Sequence, residues 1–194
     1  MDTKRILMIV FGGAAVLTAA VIVFDFDLEG AESSGLPSQF ASIYRSAADY
    51  GRDVTELTER TQSIIAEVNA FDTDGRKEEA LVKLAEAEDV NRAAKEKAHT
   101  LALKLQDIVR ILNDEATFMQ KRALLGIVDV EIALVQEFVA YTQEMQTFLY
   151  TVRLAITSAE YDDRAAVYAE VTAVNERVRR INALNAEFAR RVNL

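Results

Sequence analysis

The stretch SQFASIYRSAADYGRDVTELTERTQSIIAEVNAF, residues 38–71, decides how this chain folds. Within it Phe40, Ile43, Ala47, Tyr50, Val54, Leu57, Thr61, Ile64, Val68 and Phe71 follow one another at alternating gaps of three and four. Such spacing keeps one stripe of a helix facing a neighbour for about five heptads, so it predicts a long helix packed against others. Gly51 inside the stripe costs about 1 kcal/mol relative to Ala, which packing can absorb. Asp72, Thr73, Asp74 and Gly75 then supply turn chemistry.

Three further helices are predicted behind that turn. The second covers 76–112, with Leu81 and Leu84 at one end, Leu101, Leu105, Ile108 and Leu112 at the other, and only Ala87, Ala94 and Ala98 between. Small residues there bring a neighbouring helix close or leave the stretch less tightly held. The third covers 116–158 along Leu125, Val128, Ile132, Val135, Val139, Thr142, Leu149, Val152 and Ile156. Further apolar residues fill its other faces, the mark of the most buried member of a bundle. The shift of register between the two seams points to a turn near Asn113 and Asp114, where Asn or Asp can cap. With no Gly or Pro there, a break at Gly126 or one continuous helix is also compatible. The fourth covers 161–192 along Val167, Val171, Val174, Val178, Ile181, Asn185, Phe188 and Val192, with Arg190 and Arg191 suiting its C-terminal dipole. No sustained period-two alternation argues for a strand. The expected fold class is all-α: an antiparallel, coiled-coil-like, up-down-up-down four-helix bundle at 38–194.

On the N-terminal side, residues 6–24 carry no charge. As a helix such a run spans about 28 Å, close to the hydrocarbon thickness of a bilayer. Lys4 and Arg5 precede it, and Asp25 and Asp27 follow it. Basic residues favour the cytoplasmic side, so these four determine a topology with the N-terminus inside and the remainder outside. The layout reads as a short tail at 1–5, a transmembrane signal-anchor at 6–24 and an acidic linker at 25–37. A cleaved signal peptide would have a shorter apolar run and a small-x-small site, where this chain has Asp25, Phe26 and Asp27. Gly12, Ala15 and Ala19 share a face that could let two anchors approach, although Gly and Ala are common in any membrane helix.

Composition removes most other classes. The chain has 194 residues, no Cys, one His and a formal charge of −9. Disulfides, thiolate metal sites and multi-imidazole zinc sites are excluded on those counts. The acidity argues against nucleic acid. Glu96 and His99 have the Glu-x-x-His spacing of di-iron bundles, but the second motif is missing, so a solvated His99 is expected. Asp129 and Glu131 flank the third seam, and Glu137 and Glu144, seven apart, read as an outer solubility face. Phe138, Tyr141, Phe148 and Tyr150 read as core aromatics. Gln146 and Arg153 fall on the otherwise apolar third seam, where polar residues set register or oligomeric state, or bind an anion.

No catalytic constellation emerges, and neither an enzyme nor a cofactor is expected. The sequence points to a single-pass protein of a cell membrane, in a prokaryotic setting. It would act by protein–protein interaction, as a scaffold or envelope-complex component, with a protein partner or a second copy, and it would hold the lipid bilayer through residues 6–24. The alternative is a ligand-sensing bundle that signals through a partner.

Overall fold

A computed structural model of the chain describes residues 38–158 and 164–192. The expected anchor at 6–24, its flanking Lys4, Arg5, Asp25 and Asp27, and the linker at 25–37 lie outside the described residues. Four helices account for nearly all of the described chain: α1 (Ser38–Thr73), α2 (Lys77–Glu115), α3 (Phe118–Thr157) and α4 (Arg164–Val192). The fold is all-α, and no strand occurs among the described residues. The break between α2 and α3 falls at Ala116 and Thr117, just past Asn113 and Asp114, and Gly126 lies inside α3. Among the described residues no helix is long and apolar enough to cross a membrane.

Ion pairs between helices report their directions. Lys83–Glu67 and Lys97–Asp53 join α1 to α2, and the partners' numbers add to 150 in both pairs. A constant sum means that one number rises as the other falls, so α1 and α2 are antiparallel. Arg153–Glu88 joins α2 to α3, and Arg177 joins α4 to Glu137 and Glu144 of α3. Each helix packs along the next, whereas α1 and α4 do not pack along each other among the described residues. The closed square of a symmetric bundle is therefore open on one edge. Instead α1 reaches α3 through side chains at Tyr44–Glu131 and Gln62–Tyr141.

Six of the ten expected stripe residues of α1, Ile64 among them, are buried, and the second row lies one residue further on. Phe40, Ala47, Val54, Thr61 and Val68 are buried as expected, but Tyr44, Gly51, Thr58, Ile65 and Asp72 form the second buried row. Ile43, Tyr50, Leu57 and Phe71 are only half-buried on the flank. The physical reason is that α1 meets two neighbours, so the deepest line lies between their contacts. Polar members of that line are satisfied locally: the hydroxyls of Thr58 and Thr61 donate to the carbonyls of Val54 and Leu57 at 2.7 and 2.9 Å.

α2 carries the matching pattern. Ala80, Leu84, Ala87, Asn91, Ala94, Ala98, Leu101, Leu105, Ile108 and Leu112 are all buried at gaps of four and three. The antiparallel register sets Gly51 of α1 within one residue of the level of Ala98 of α2. Small residues meeting at one level let two helix backbones approach closely, and α1 with α2 is the most extensive helix pair in the fold.

The α1–α2 turn shows how local sequence closes a helix. Gly75 has φ +77°, in the left-handed region. The Arg76 amide donates to the Phe71 carbonyl at 2.8 Å and the Gly75 amide to the Asp72 carbonyl at 3.0 Å. These two bonds form a Schellman cap, completed by the Arg76 guanidinium lying 4.4 Å from the centre of the Phe71 ring. A Cβ at Gly75 would meet no atom within 4 Å. Gly75→Ala is therefore expected to cost only the left-handed backbone penalty, about 1–2 kcal/mol in denaturant unfolding. A neutral effect would show that the cap does not hold the turn.

Candidate functional site

The long side chains of α2 and α3 meet across a groove of about 500 Å³. From α2 come Glu88, Asn91, Arg92 and Lys95, and from α3 come Gln146, Leu149, Tyr150 and Arg153. Leu149 and Asn91 form its buried floor. Asn91 occupies a seam position of α2, and its amide donates to the Thr142 carbonyl at 2.9 Å, tying the two helices at one level. Arg153 spans the rim with a bidentate pair to Glu88, Nε to Oε1 at 3.0 Å and Nη2 to Oε2 at 2.7 Å. Both side chains are about one-third exposed, and the bidentate fork holds the guanidinium in one orientation. The hydrogen bonds it donates to Glu88 push the Arg153 guanidinium up from its ordinary value.

Gln146 is exposed and lies in the same groove. The structure thus brings Gln146 and Arg153 together at the α2–α3 boundary, with Arg153 bonded across it and Gln146 facing solvent. Of the four aromatics of α3, Phe138, Tyr141 and Phe148 are buried, while Tyr150 is 59% exposed beside the groove. His99 and Glu96 are both exposed on α2. Further along the same boundary, Ala102 and Gln106 of α2 and Ile132, Val135, Gln136 and Val139 of α3 line a second, more apolar groove of about 270 Å³.

Two acidic features of α3 differ from the sequence reading. Glu137 and Glu144 do not form an outer solvent face, because α4 covers it: Arg177 donates to Glu137 at 3.1 Å and to Glu144 at 3.4 Å. Glu131 does not flank the core but lies within it, 1% exposed, while Asp129 is exposed. The Tyr44 hydroxyl donates to Glu131 Oε1 at 3.0 Å, and Oε2 has no partner among the described residues. Burial pushes the Glu131 carboxyl up to about 8, against the lowering effect of the Tyr44 hydrogen bond. Burial also pushes the Tyr44 hydroxyl up, reinforced by the carboxyl beside it. A carboxyl so enclosed cannot reach a substrate, and its chemistry is confined to its own protonation.

Asn91 and Glu88 carry the groove together with Arg153, yet neither was singled out from sequence. Asn91 could have been found, since it stands seven residues from both Leu84 and Ala98. Glu88 sits in a run of mixed charges with no distinguishing spacing. No protein-family model, curated protein or solved structure matches the chain.

The titration of Glu131 has a defined sign. The unfolded carboxyl titrates near 4.5 and the folded one near 8, so the native state holds its proton longer. Stability is undiminished at or below the lower value, falls as pH rises between the two, and is fully reduced above the higher one. Glu131→Gln keeps an acceptor for Tyr44 and cannot ionise. It is expected to raise the unfolding free energy at about pH 8 far more than at about pH 5, by on the order of a few kcal/mol. Equal effects at the two pH values would show that Glu131 is already ionised in the folded chain.

Proposed function

We propose that the chain is a single-pass membrane protein, anchored by residues 6–24, whose helical body stands outside the membrane and works by binding a protein partner or a second copy of itself. The observation that carries this reading is the division of the apolar residues. One group is an uncharged run bounded by Lys4 and Arg5 on one side and Asp25 and Asp27 on the other. The other group lines amphipathic helices whose remaining faces are charged. The open edge between α1 and α4 adds support, because it leaves two long lateral faces on the body. In this reading the bundle is the coiled-coil-like, up-down-up-down form, the envelope of a prokaryotic cell is its setting, and the chain performs no catalytic step.

Cell fractionation with protease protection tests the anchor, and crosslinking in native membranes tests the interaction. The expected result is a protein that only detergent extracts, a body open to protease from the outside, and a crosslinked homo-oligomer or defined complex. Extraction by salt alone would remove the anchor from the reading. A monodisperse monomer without a crosslinked partner would remove the interaction.

A further inference from the structure

The α2–α3 groove has a use that protein–protein interaction leaves unassigned. Three of its four charged residues, Arg92, Lys95 and Arg153, are basic, in a chain whose net charge is −9. Glu88 pairs with Arg153 and Asp89 pairs with Arg92 at the groove's edge, so Lys95 is the groove cation without an ion-pair partner among the described residues. Several donors in it are also free. Lys95, Gln146 and the Tyr150 hydroxyl have no hydrogen-bond or ion-pair partner among the described residues. The bond of Arg153 to Glu88 uses Nε and Nη2, leaving Nη1 in the same condition.

Arg and Lys donate and cannot accept. A molecule that satisfies them must therefore bring acceptors, and negative charge strengthens each bond. The groove's volume of about 500 Å³ lies in the range that holds small molecules. Its wall adds an apolar contribution, because Tyr150 exposes more than half of its surface beside the charges. A flat ring offers a stacking surface at low conformational cost.

We propose that this groove binds a small organic oxyanion, a carboxylate or phosphate monoester carrying a planar apolar portion. The oxyanion is held by Lys95 and Arg153, with Gln146 able to donate as well, and the planar portion lies against Tyr150. Glu88 acts as an internal competitor, because it occupies two donors of Arg153 that the ligand would otherwise share. The site does not depend on whether the chain is anchored, so its failure and the failure of the membrane reading are separate results.

The test uses the full chain purified in detergent and calorimetric titration at low salt with three probes: citrate, inorganic phosphate and phenyl phosphate. Saturable binding at one site per chain is expected, with phenyl phosphate tighter than inorganic phosphate. The order of citrate against phosphate tells which oxyanion the site prefers. Lys95→Ala is expected to weaken binding about tenfold, the loss of one charge-assisted hydrogen bond. Tyr150→Ala should narrow the gap between the two phosphates, and Glu88→Gln should tighten all binding several-fold by releasing Arg153. Arg60→Ala, which removes an exposed cation outside the groove, should change nothing and serves as the control for general charge. A melting curve for each variant confirms that it is folded. Absence of saturable binding to all three probes at millimolar concentration overturns the proposal. So does binding that Arg60→Ala weakens as much as Lys95→Ala, because that would be attraction to bulk charge.

Discussion

α3 has more apolar surface than one neighbouring helix can cover, and the rest of the structure follows from that excess. Leu124, Val128, Leu134, Val135, Phe138, Met145, Leu149 and Val152 are all buried, and they do not fit on a single stripe. A helix hydrophobic on more than one side must be enclosed. Accordingly α2 packs along one side, α4 along another, and α1 reaches it by the side chains of Tyr44 and Gln62. The same enclosure traps Glu131. Its carboxyl stays on a face that has to be buried, and keeping its proton is the least costly way to be there. The acidic residues of α3 at 137 and 144 escape that cost because they stay partly exposed and α4 presents Arg177 to both and Arg180 to the first.

The second constraint is the narrow seam between α1 and α2. Gly51, Ala94 and Ala98 have little side chain to hold two backbones apart, and α2 makes its more extensive contact with α1 rather than with α3. Long polar side chains span the other boundary of α2. The Arg153–Glu88 pair crosses it at the rim and the Asn91 amide crosses it at the floor. A groove between two packed helices is a natural result when one of them is drawn toward its other neighbour. Hydrogen-bonded polar groups can bridge such a gap without filling it, which apolar side chains of ordinary length do not.

The four helices were legible in the sequence because heptad spacing survives substitution of individual residues. Which row lies deepest was not. Periodicity places Ile43, Tyr50 and Leu57 on the same broad face as Tyr44, Gly51 and Thr58, and it favours the larger apolar residues. The structure buries the second set for three separate reasons: Gly51 allows close approach, the Thr58 hydroxyl bonds to its own helix, and the Tyr44 hydroxyl bonds to Glu131. Asn91 and Glu131 were obscured for a related reason. Polar residues weaken an apolar stripe on paper, yet a buried Asn with a carbonyl partner and a protonated Glu beside a Tyr are compatible with a core. Reading Glu137 and Glu144 as a solvent face failed differently, since the sequence of α3 alone does not reveal where α4 lies.

The two ends of the helical body are unlike in chemistry, and the antiparallel path explains how they are linked. α1 starts and α4 finishes at one end, where Arg191 donates to the Gly126 carbonyl of α3 at 2.6 Å and also pairs with Glu187. The oxyanion groove lies near the opposite end. At 1.5 Å per residue, Leu149 is roughly 45 Å along α3 from its start. In the proposed orientation the groove faces away from the membrane and the Arg191 contact faces toward it. Among the described residues α3 lines the groove, carries the buried Glu131 about a third of the way along, and meets Arg191 near its start. A ligand that drew Arg153 away from Glu88 would act on this same helix. The excess apolar surface of α3 thus explains why both the groove at one end and the Arg191 contact at the other are built on the same helix.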